Sequence, residues 1–292
     1  PQVVELVPQF PVAAGTGGGL FVALSTNGGE TWSPRRMADA SDGLPLALGD
    51  PKAVFDRFGN LFLTYVGAAR NNVVLAVSKD AGRTFRLLEN LSPAGSPSGK
   101  DVPLQVDQPS VAVGPATGTS GGSVWITYED EFNHTVVAAG APVAGLDAVK
   151  ALNPVVIPGS ENGGFGDLEI GPHGEVLVLW QQDPNVVGAP PYRVYTSLDP
   201  DGLGAEPFGE ARLLATTGTP SGPSAPMPHQ GVVSEFNLAW DRAAGDLGRV
   251  YVAYSDPNPD NAAEATDLDI WLRYSDDAGL TWQGPVRPAS SE

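Results

Sequence analysis

Several segments of the sequence combine carboxylates with aromatic side chains. The densest segment runs from Tyr128 to His134 and contains Glu129, Asp130 and Glu131. Aromatic rings stack on sugar rings while carboxylates and amides bind hydroxyl groups, so these residue types predict a binding surface for a glycan or a protein ligand. The candidate ligand-binding residues are Tyr128, Glu129, Asp130, Glu131, Trp180, Gln182, Arg193, His229 and Asp256.

The same carboxylates allow a catalytic reading. A glycosidase needs one carboxyl group as a proton donor and a second as a base or nucleophile. Glu129, Asp130, Glu131 and Asp256 supply suitable groups. A third reading is a solvated acidic rim, because acidic residues outnumber basic ones by 34 to 16 in the whole chain. The sequence leaves these three readings open.

A calcium site is a further hypothesis, because clustered carboxylate and carbonyl oxygens suit a hard cation. The candidate ligands are Asp256, Asp260, Asp267 and Asp269. The three histidines are too far apart in sequence for a metal-binding motif. Calcium is therefore the one cofactor that the sequence indicates.

One phrase recurs three times and predicts how these segments are positioned. It reads Ser, any residue, Asp or Asn, any residue, Gly, any residue, Thr, then an aromatic residue. The Asp or Asn side chain accepts bonds from nearby backbone N–H groups, Gly supplies a positive φ, and the aromatic side chain is buried. We therefore expect structural hairpin turns at Ser25, Asn27, Gly29 and Trp32, at Ser78, Asp80, Gly82 and Phe85, and at Ser275, Asp277, Gly279 and Trp282.

These phrases resemble the Asp box, or BNR repeat, of the sialidase-like β-propellers, and the resemblance covers most of the chain. It implies an all-β propeller of four-stranded antiparallel blades, with the boxes on the face opposite the functional loops. Sialidases of this family need three arginines and an Arg-Ile-Pro signature. The signature is absent, and only Arg70 and Arg193 are good candidates for that face. Sialidase activity is therefore not expected.

Short apolar segments separated by turn residues extend the repeat beyond the boxes. Four such segments joined by tight turns make one propeller blade. We predict a single β-propeller domain over 1–292 with five visible blades, in a five- or six-bladed plan. A six-bladed plan is favoured, its missing blade being supplied by another segment or by self-assembly. The predicted blades are 1–37, 50–91, 107–158, 166–217 and 234–289.

Composition limits the partners. The net charge of −18 argues against nucleic acid, whose phosphates need a basic footprint, and against anionic membrane surfaces. No apolar run approaches the roughly 20 residues that a membrane-spanning helix needs, so membrane insertion is not expected. The chain has no cysteine, which excludes disulfides and thiolate metal sites.

The sequence thus predicts a secreted Asp-box propeller that acts as a binding or structural module without a recognisable active site. The extracellular location rests on the family resemblance. The chain begins at Pro1, as expected of a mature or trimmed product whose targeting segment is gone. The alternative is a glycoside hydrolase that acts on neutral polysaccharide through paired carboxylates.

Overall fold

The computed structural model describes residues 3–8, 18–182, 191–219, 222–224, 227–232, 234–258 and 267–288, with the backbone alone for 3–8, 222–224, 227–232 and Phe165. All regular elements in this part of the chain are β-strands, which form five antiparallel sheets and one short hairpin. It contains no helix that is long and apolar enough to cross a membrane.

The first sheet has three strands and the other four sheets have four each. Within each sheet, strands that are consecutive in the chain pair side by side. The first sheet consists of β1 Val3–Pro8, β2 Leu20–Ser25 and β3 Ser33–Met37. The second consists of β4 Ala47–Phe55, β5 Leu61–Gly67, β6 Val73–Ser78 and β7 Arg86–Leu91. The third consists of β8 Asp107–Pro115, β9 Gly122–Asp130, β10 Thr135–Val143 and β11 Asn153–Val156.

The fourth and fifth sheets follow the same plan. The fourth consists of β12 Gly163–Ile170, β13 Val176–Gln182, β14 Tyr192–Asp199 and β15 Arg212–Thr217. A hairpin of β16 Gly222–Ser224 and β17 Met227–Val232 precedes the fifth sheet. The fifth consists of β18 Asn237–Asp241, β19 Arg249–Pro257, β20 Leu268–Ser275 and β21 Gln283–Val286.

The three recurring phrases form the same hydrogen-bonded turn. In the second sheet the turn joins β6 to β7, where the Gly82 N–H donates to Ser78 Oγ at 2.8 Å and the Thr84 N–H donates to Asp80 Oδ1 at 2.8 Å. The other two turns have the same bonds, from Gly29 and Thr31 in the first sheet and from Gly279 and Thr281 in the fifth. Each phrase therefore acts as a structural turn at the end of a strand.

Apolar cores lie between neighbouring sheets. One core joins the first and second sheets, the next joins the second and third, and two more join the third to the fourth and the fourth to the fifth. Each middle sheet is therefore apolar on both faces, as stacked propeller blades require. This arrangement confirms the prediction of an all-β propeller, while the predicted blade boundaries remain predictions.

The innermost strands of the second to fifth sheets position the site. Three of them break register near their first residues: β4 between Ala47 and Lys52, β8 between Asp107 and Ser110, and β12 between Gly164 and Asp167. Such bulges bend a strand and re-aim its side chains. The strand beginnings therefore present polar side chains at one end of the propeller axis.

Candidate active site

A pocket of about 220 Å³ lies where the innermost strands begin. The second, third, fourth and fifth sheets all contribute to its walls. Its polar lining combines carboxylates, amides and one lysine. The lining residues are Asp50, Pro51, Lys52, Gln108, Pro109, Gly166, Glu235, Phe236 and Asn237.

Two carboxyl groups interact beside this pocket. The Asp107 side chain is half-buried, and burial together with the charge of Asp50 and a hydrogen bond between the two carboxyl groups raises the pKa of Asp107 to about 7. The charge of Glu131 acts in the same direction. A neighbouring carboxylate and burial both disfavour the charged form of a carboxyl group, so Asp107 keeps its proton up to near neutral pH. Asp107, beside the wall residue Asp50, is therefore a carboxyl group that could donate a proton next to the pocket.

A third carboxylate, that of Asp167, is fixed by hydrogen bonds from three sheets. Its Oδ1 accepts bonds from Ser110 Oγ at 2.5 Å and from the Leu168 N–H at 3.0 Å, while Oδ2 accepts one from the Leu238 N–H at 2.9 Å. Lys52 Nζ lies 3.5 Å from the same Oδ1 and 3.3 Å from Ser110 Oγ. Asp167 therefore joins the second, third, fourth and fifth sheets around the pocket and orients Lys52.

Glu169 lies further along β12, and its pKa is also shifted from the usual value. Burial raises its pKa to about 7, opposed by the positive charge of Arg242, whose Nη2 lies 3.6 Å from Glu169 Oε2. Arg242 also donates to the carbonyl oxygens of Ile170 and Val113, both at 2.7 Å. Glu169 pairs with Arg242 and is not among the residues that line the pocket, so it is assigned to the packing around the axis.

Two of the sequence-predicted residues lie close to this site. Glu129 is directly opposite Asp107 in the β8–β9 ladder, and its carboxylate packs against the backbone of Gly164. Glu131 is near enough to Asp107 to affect its charge. The acidic segment after Tyr128 therefore borders the pocket from the third sheet.

Other predicted ligand-binding residues lie elsewhere. Tyr128 and Trp180 are buried in the cores between sheets, and Trp180 stacks on Tyr195 at 5.9 Å between ring centroids, because both belong to second strands with apolar faces. The carboxylate of Asp130 accepts bonds from the N–H and Nδ2 of Asn133 at 2.9 and 2.8 Å, and so forms a turn.

Gln182 and Arg193 lie at the paired ends of β13 and β14. Gln182 Nε2 donates to the carbonyl of Glu161 at 2.7 Å, and Arg193, opposite Gln182 in the β13–β14 ladder, is exposed. The His229 side chain lies outside the described residues. Neither Gln182 nor Arg193 is among the residues that line the pocket described above.

The proposed calcium ligands are only partly described. Asp256 Oδ1 accepts bonds from Thr217 Oγ1 at 2.7 Å and the Gly218 N–H at 2.8 Å. Asp269 pairs with Arg287 at 3.2 Å, and Asp260 lies outside the described residues. The backbone carbonyl of Asp267 accepts from the Asn258 N–H. Within the described part of the chain, no group of three or more His, Asp or Glu side chains is arranged to hold a metal, so the calcium site stays a prediction.

The sequence contained a signal for the pocket that its interpretation missed. An acidic residue lies in or just before the innermost strand of each of four sheets: Asp50 in β4, Asp107 in β8, Asp167 in β12 and Glu235 before β18. These positions look like turn-formers when each is read alone. Because strand beginnings on the same side of a propeller converge at its axis, the recurrence of a carboxylate there is the informative feature.

The chain is similar in structure to several carbohydrate-active enzymes. It superposes on an α-L-arabinofuranosidase from Fusarium graminearum in complex with an iminosugar inhibitor, with a TM-score of 0.52, 14% identity, and coverage of 92% of this chain and 77% of that chain. An α-L-arabinanase from Penicillium chrysogenum complexed with arabinobiose superposes with a TM-score of 0.53 at 14% identity. The match covers 96% of this chain and 76% of that chain. A polysaccharide lyase, ulvan lyase, superposes with a TM-score of 0.50 at 14% identity, and the match covers 91% of this chain and 60% of that chain.

At these identities the likeness shows the propeller fold. No protein-family model and no curated protein sequence matches the chain. The expectation of a binding or structural module without catalysis is nevertheless corrected, because two of the similar structures are glycosidases captured with an inhibitor or a sugar. That expectation placed the functional residues in loops on the face opposite the Asp boxes and included neither Asp50 nor Asp107.

Proposed function

We propose that the chain is a glycoside hydrolase that acts on neutral polysaccharide, with its reaction centre in the axial pocket. The observation that carries this proposal is the hydrogen-bonded Asp50–Asp107 pair, with the pKa of Asp107 raised to about 7, beside a pocket that also exposes Glu235. Glycoside hydrolysis needs a carboxyl group that stays protonated near neutral pH and a second carboxylate.

In this mechanism the Asp50–Asp107 pair donates its proton to the glycosidic oxygen, which leaves as the hydroxyl group of the released sugar. Glu235, on the wall formed by the fifth sheet, is the second carboxylate and acts on the anomeric carbon, directly or through a water molecule. Lys52 stays bound near Asp167 and Ser110, while the amides of Gln108 and Asn237 are available to sugar hydroxyls.

A neutral substrate fits the charge of the protein. A chain of net charge −18 repels anionic polymers. The cation on the pocket wall, Lys52, already contacts the Asp167 carboxylate at 3.5 Å. Since similar structures include an arabinofuranosidase and an arabinanase, arabinose-containing polysaccharide is the first substrate to test. We also propose an extracellular location, where such polymers occur.

We further propose that the three recurring turns are Asp boxes of the sialidase-like type. Their support is the repeated bonding pattern, in which a Ser hydroxyl accepts from the Gly N–H and an Asp or Asn oxygen accepts from the Thr N–H. This role is structural and separate from the pocket.

The experiment that tests the function is a reducing-end assay on a panel of arabinan, galactan, xylan and a uronate-containing polymer. The expected result is activity on a neutral polymer that falls as the pH rises through about 7, where the proton donor of the pair is lost. Activity confined to the uronate polymer, or activity retained in full by Asp107→Asn, would contradict the proposal.

A further inference from the structure

Two of the residues that line the axial pocket have a backbone conformation that is unfavourable for their type. Asp50 has a φ of 52° and Gln108 has a φ of 44°. Residues other than glycine rarely adopt this left-handed region, because Cβ comes too close to a backbone carbonyl oxygen. Each residue also precedes a proline, Pro51 or Pro109, whose ring favours an extended conformation in the residue before it. Both positions are therefore strained.

The two strained residues occupy equivalent places in neighbouring sheets. Asp50 lies in the register break of β4 that ends at Lys52, and Gln108 lies in the register break of β8 that ends at Ser110. Lys52 and Ser110, with which the two ladders resume, are in contact, with Nζ and Oγ 3.3 Å apart. A left-handed residue followed by proline inside a bulge therefore occurs twice on the pocket wall.

The contact made by Asp50 indicates what the strained conformation is used for. The Asp50 side chain forms a hydrogen bond with the carboxyl group of Asp107 in the neighbouring sheet. A bulge bends its strand and re-aims the side chains, so the local backbone directs the Asp50 carboxyl group towards the pocket. Strain of this kind persists only where the surrounding structure maintains it, and it clusters at active sites. The strain at Asp50 is therefore explained by its contact with the proposed proton donor.

Gln108 places an amide at the equivalent point of the third sheet. The residue is half-buried and lines the pocket, and its backbone N–H donates to Asp107 Oδ1 at 2.9 Å. A side-chain amide has no charge, and it both donates and accepts hydrogen bonds, as a sugar hydroxyl group does. The chemistry of Gln108 is therefore suited to a neutral sugar that lies next to the carboxyl group of Asp107.

We propose that Gln108 is a specificity-determining residue that binds a hydroxyl group of the sugar whose glycosidic oxygen Asp107 protonates. This inference rests on the proposed hydrolase activity and adds the residue that holds the sugar ring. The left-handed backbone fixes the position of the amide before the substrate arrives, and a preorganised contact of this kind strengthens binding. Gln108 acts on the binding of the substrate and not on the proton of Asp107.

The test compares Gln108→Gly and Gln108→Met with the wild type in reducing-end release from the neutral polymer that the wild type degrades. Glycine relieves the strain and removes the amide, whereas methionine is of similar length, keeps the strain and removes the amide. Both variants should raise KM and lower kcat/KM by about tenfold, as loss of one hydrogen bond does, while activity still falls as the pH rises through about 7. Only Gln108→Gly should raise Tm, by about 2 °C.

Ala81→Gly is the matched control, because Ala81 has a φ of 60° in the turn after β6 and is not among the residues that line the pocket. It should raise Tm to a similar extent while KM and kcat stay unchanged. A Gln108→Met variant with the KM of the wild type would overturn the inference and leave the hydrolase proposal standing. A shifted pH profile in both Gln108 variants would also overturn it, since Gln108 would then act through Asp107. A wild type inactive on every polymer of the panel would instead overturn the hydrolase proposal, and this inference with it.

Discussion

Replacement of Asp107 by Asn should make the protein more stable above pH 7 and less active. The pKa of Asp107 is raised from 3.8 to about 7 by burial and by the Asp50 carboxyl group. The folded protein therefore binds a proton between these pH values that the unfolded chain releases. It follows that this group lowers the free energy of unfolding as the pH rises from about 4 to about 7.

The change in the free energy of unfolding can be worked out from the shift in the pKa of Asp107. Each pKa unit corresponds to about 1.36 kcal/mol, so a shift of about three units sets an upper limit of about 4 kcal/mol. Asp107 is only half-buried and solvent screens part of the interaction, so we expect about half of this, ~2 kcal/mol. The Asn side chain removes the charge while its amide still donates to Asp50. For a domain of this size, ~2 kcal/mol corresponds to a rise in Tm of about 4 °C or more.

The assay is thermal and denaturant unfolding of the wild type and Asp107→Asn at pH 4.5 and pH 8. The difference between the two proteins should be small at pH 4.5 and should approach ~2 kcal/mol at pH 8. Asp101→Asn, at an exposed position in the loop before β8, is the control and should show no such change. A variant no more stable than the wild type at pH 8 would refute the electrostatic account of the pair.

Three further predictions test other parts of the molecule. Glu235→Gln should reduce kcat by about 10²- to 10⁴-fold, as loss of a catalytic carboxylate does, without raising Tm at pH 8 as Asp107→Asn does; an unchanged kcat would exclude Glu235 from the mechanism. Ser110→Ala removes the 2.5 Å bond to Asp167 and should lower the free energy of unfolding by about 1–3 kcal/mol, which chemical denaturation measures. Burial raises the pKa of Asp80, but hydrogen bonds from Thr84 and Ser78 outweigh it and lower the pKa to about 2. The stability that this carboxylate contributes to the turn is therefore present above about pH 4 and is lost as the pH falls through about 2. Asp80→Asn should abolish this acid sensitivity, and its free energy of unfolding should stay within about 1 kcal/mol of the wild type, because Asn occupies the same position in the first-sheet turn. Asp80→Ala should lower the free energy of unfolding by about 1–3 kcal/mol.

The turns could be predicted from the sequence because their chemistry is local. In the second sheet, the side chains of Ser78 and Asp80 bond to backbone groups no more than four residues away. A short phrase therefore contains all the interacting groups. The sheet order followed from the same regularity, because strands that are consecutive in the chain pair within each sheet.

The pocket could not be predicted in the same way. Asp50 lies in the second sheet, Asp107 in the third, and Glu235 just before β18 of the fifth, so these residues come near one another only because the innermost strands converge at the axis. Neither the burial of Asp107 nor its bond to Asp50 has a counterpart in the neighbouring sequence. Residue type alone suggests a binding role for an aromatic residue such as Trp180, but this side chain is buried between sheets.

The most direct test of the central claim is the rate of reducing-end release from arabinan by the wild type and by Asp107→Asn between pH 5 and pH 9. Turnover by the wild type should fall as the pH rises through about 7. The turnover rate of the variant should be lower by about 10²-fold or more, although the variant is expected to be folded and more stable at pH 8. Equal rates for the two proteins, with the same pH profile, would contradict a catalytic role for the carboxylates of the axial pocket.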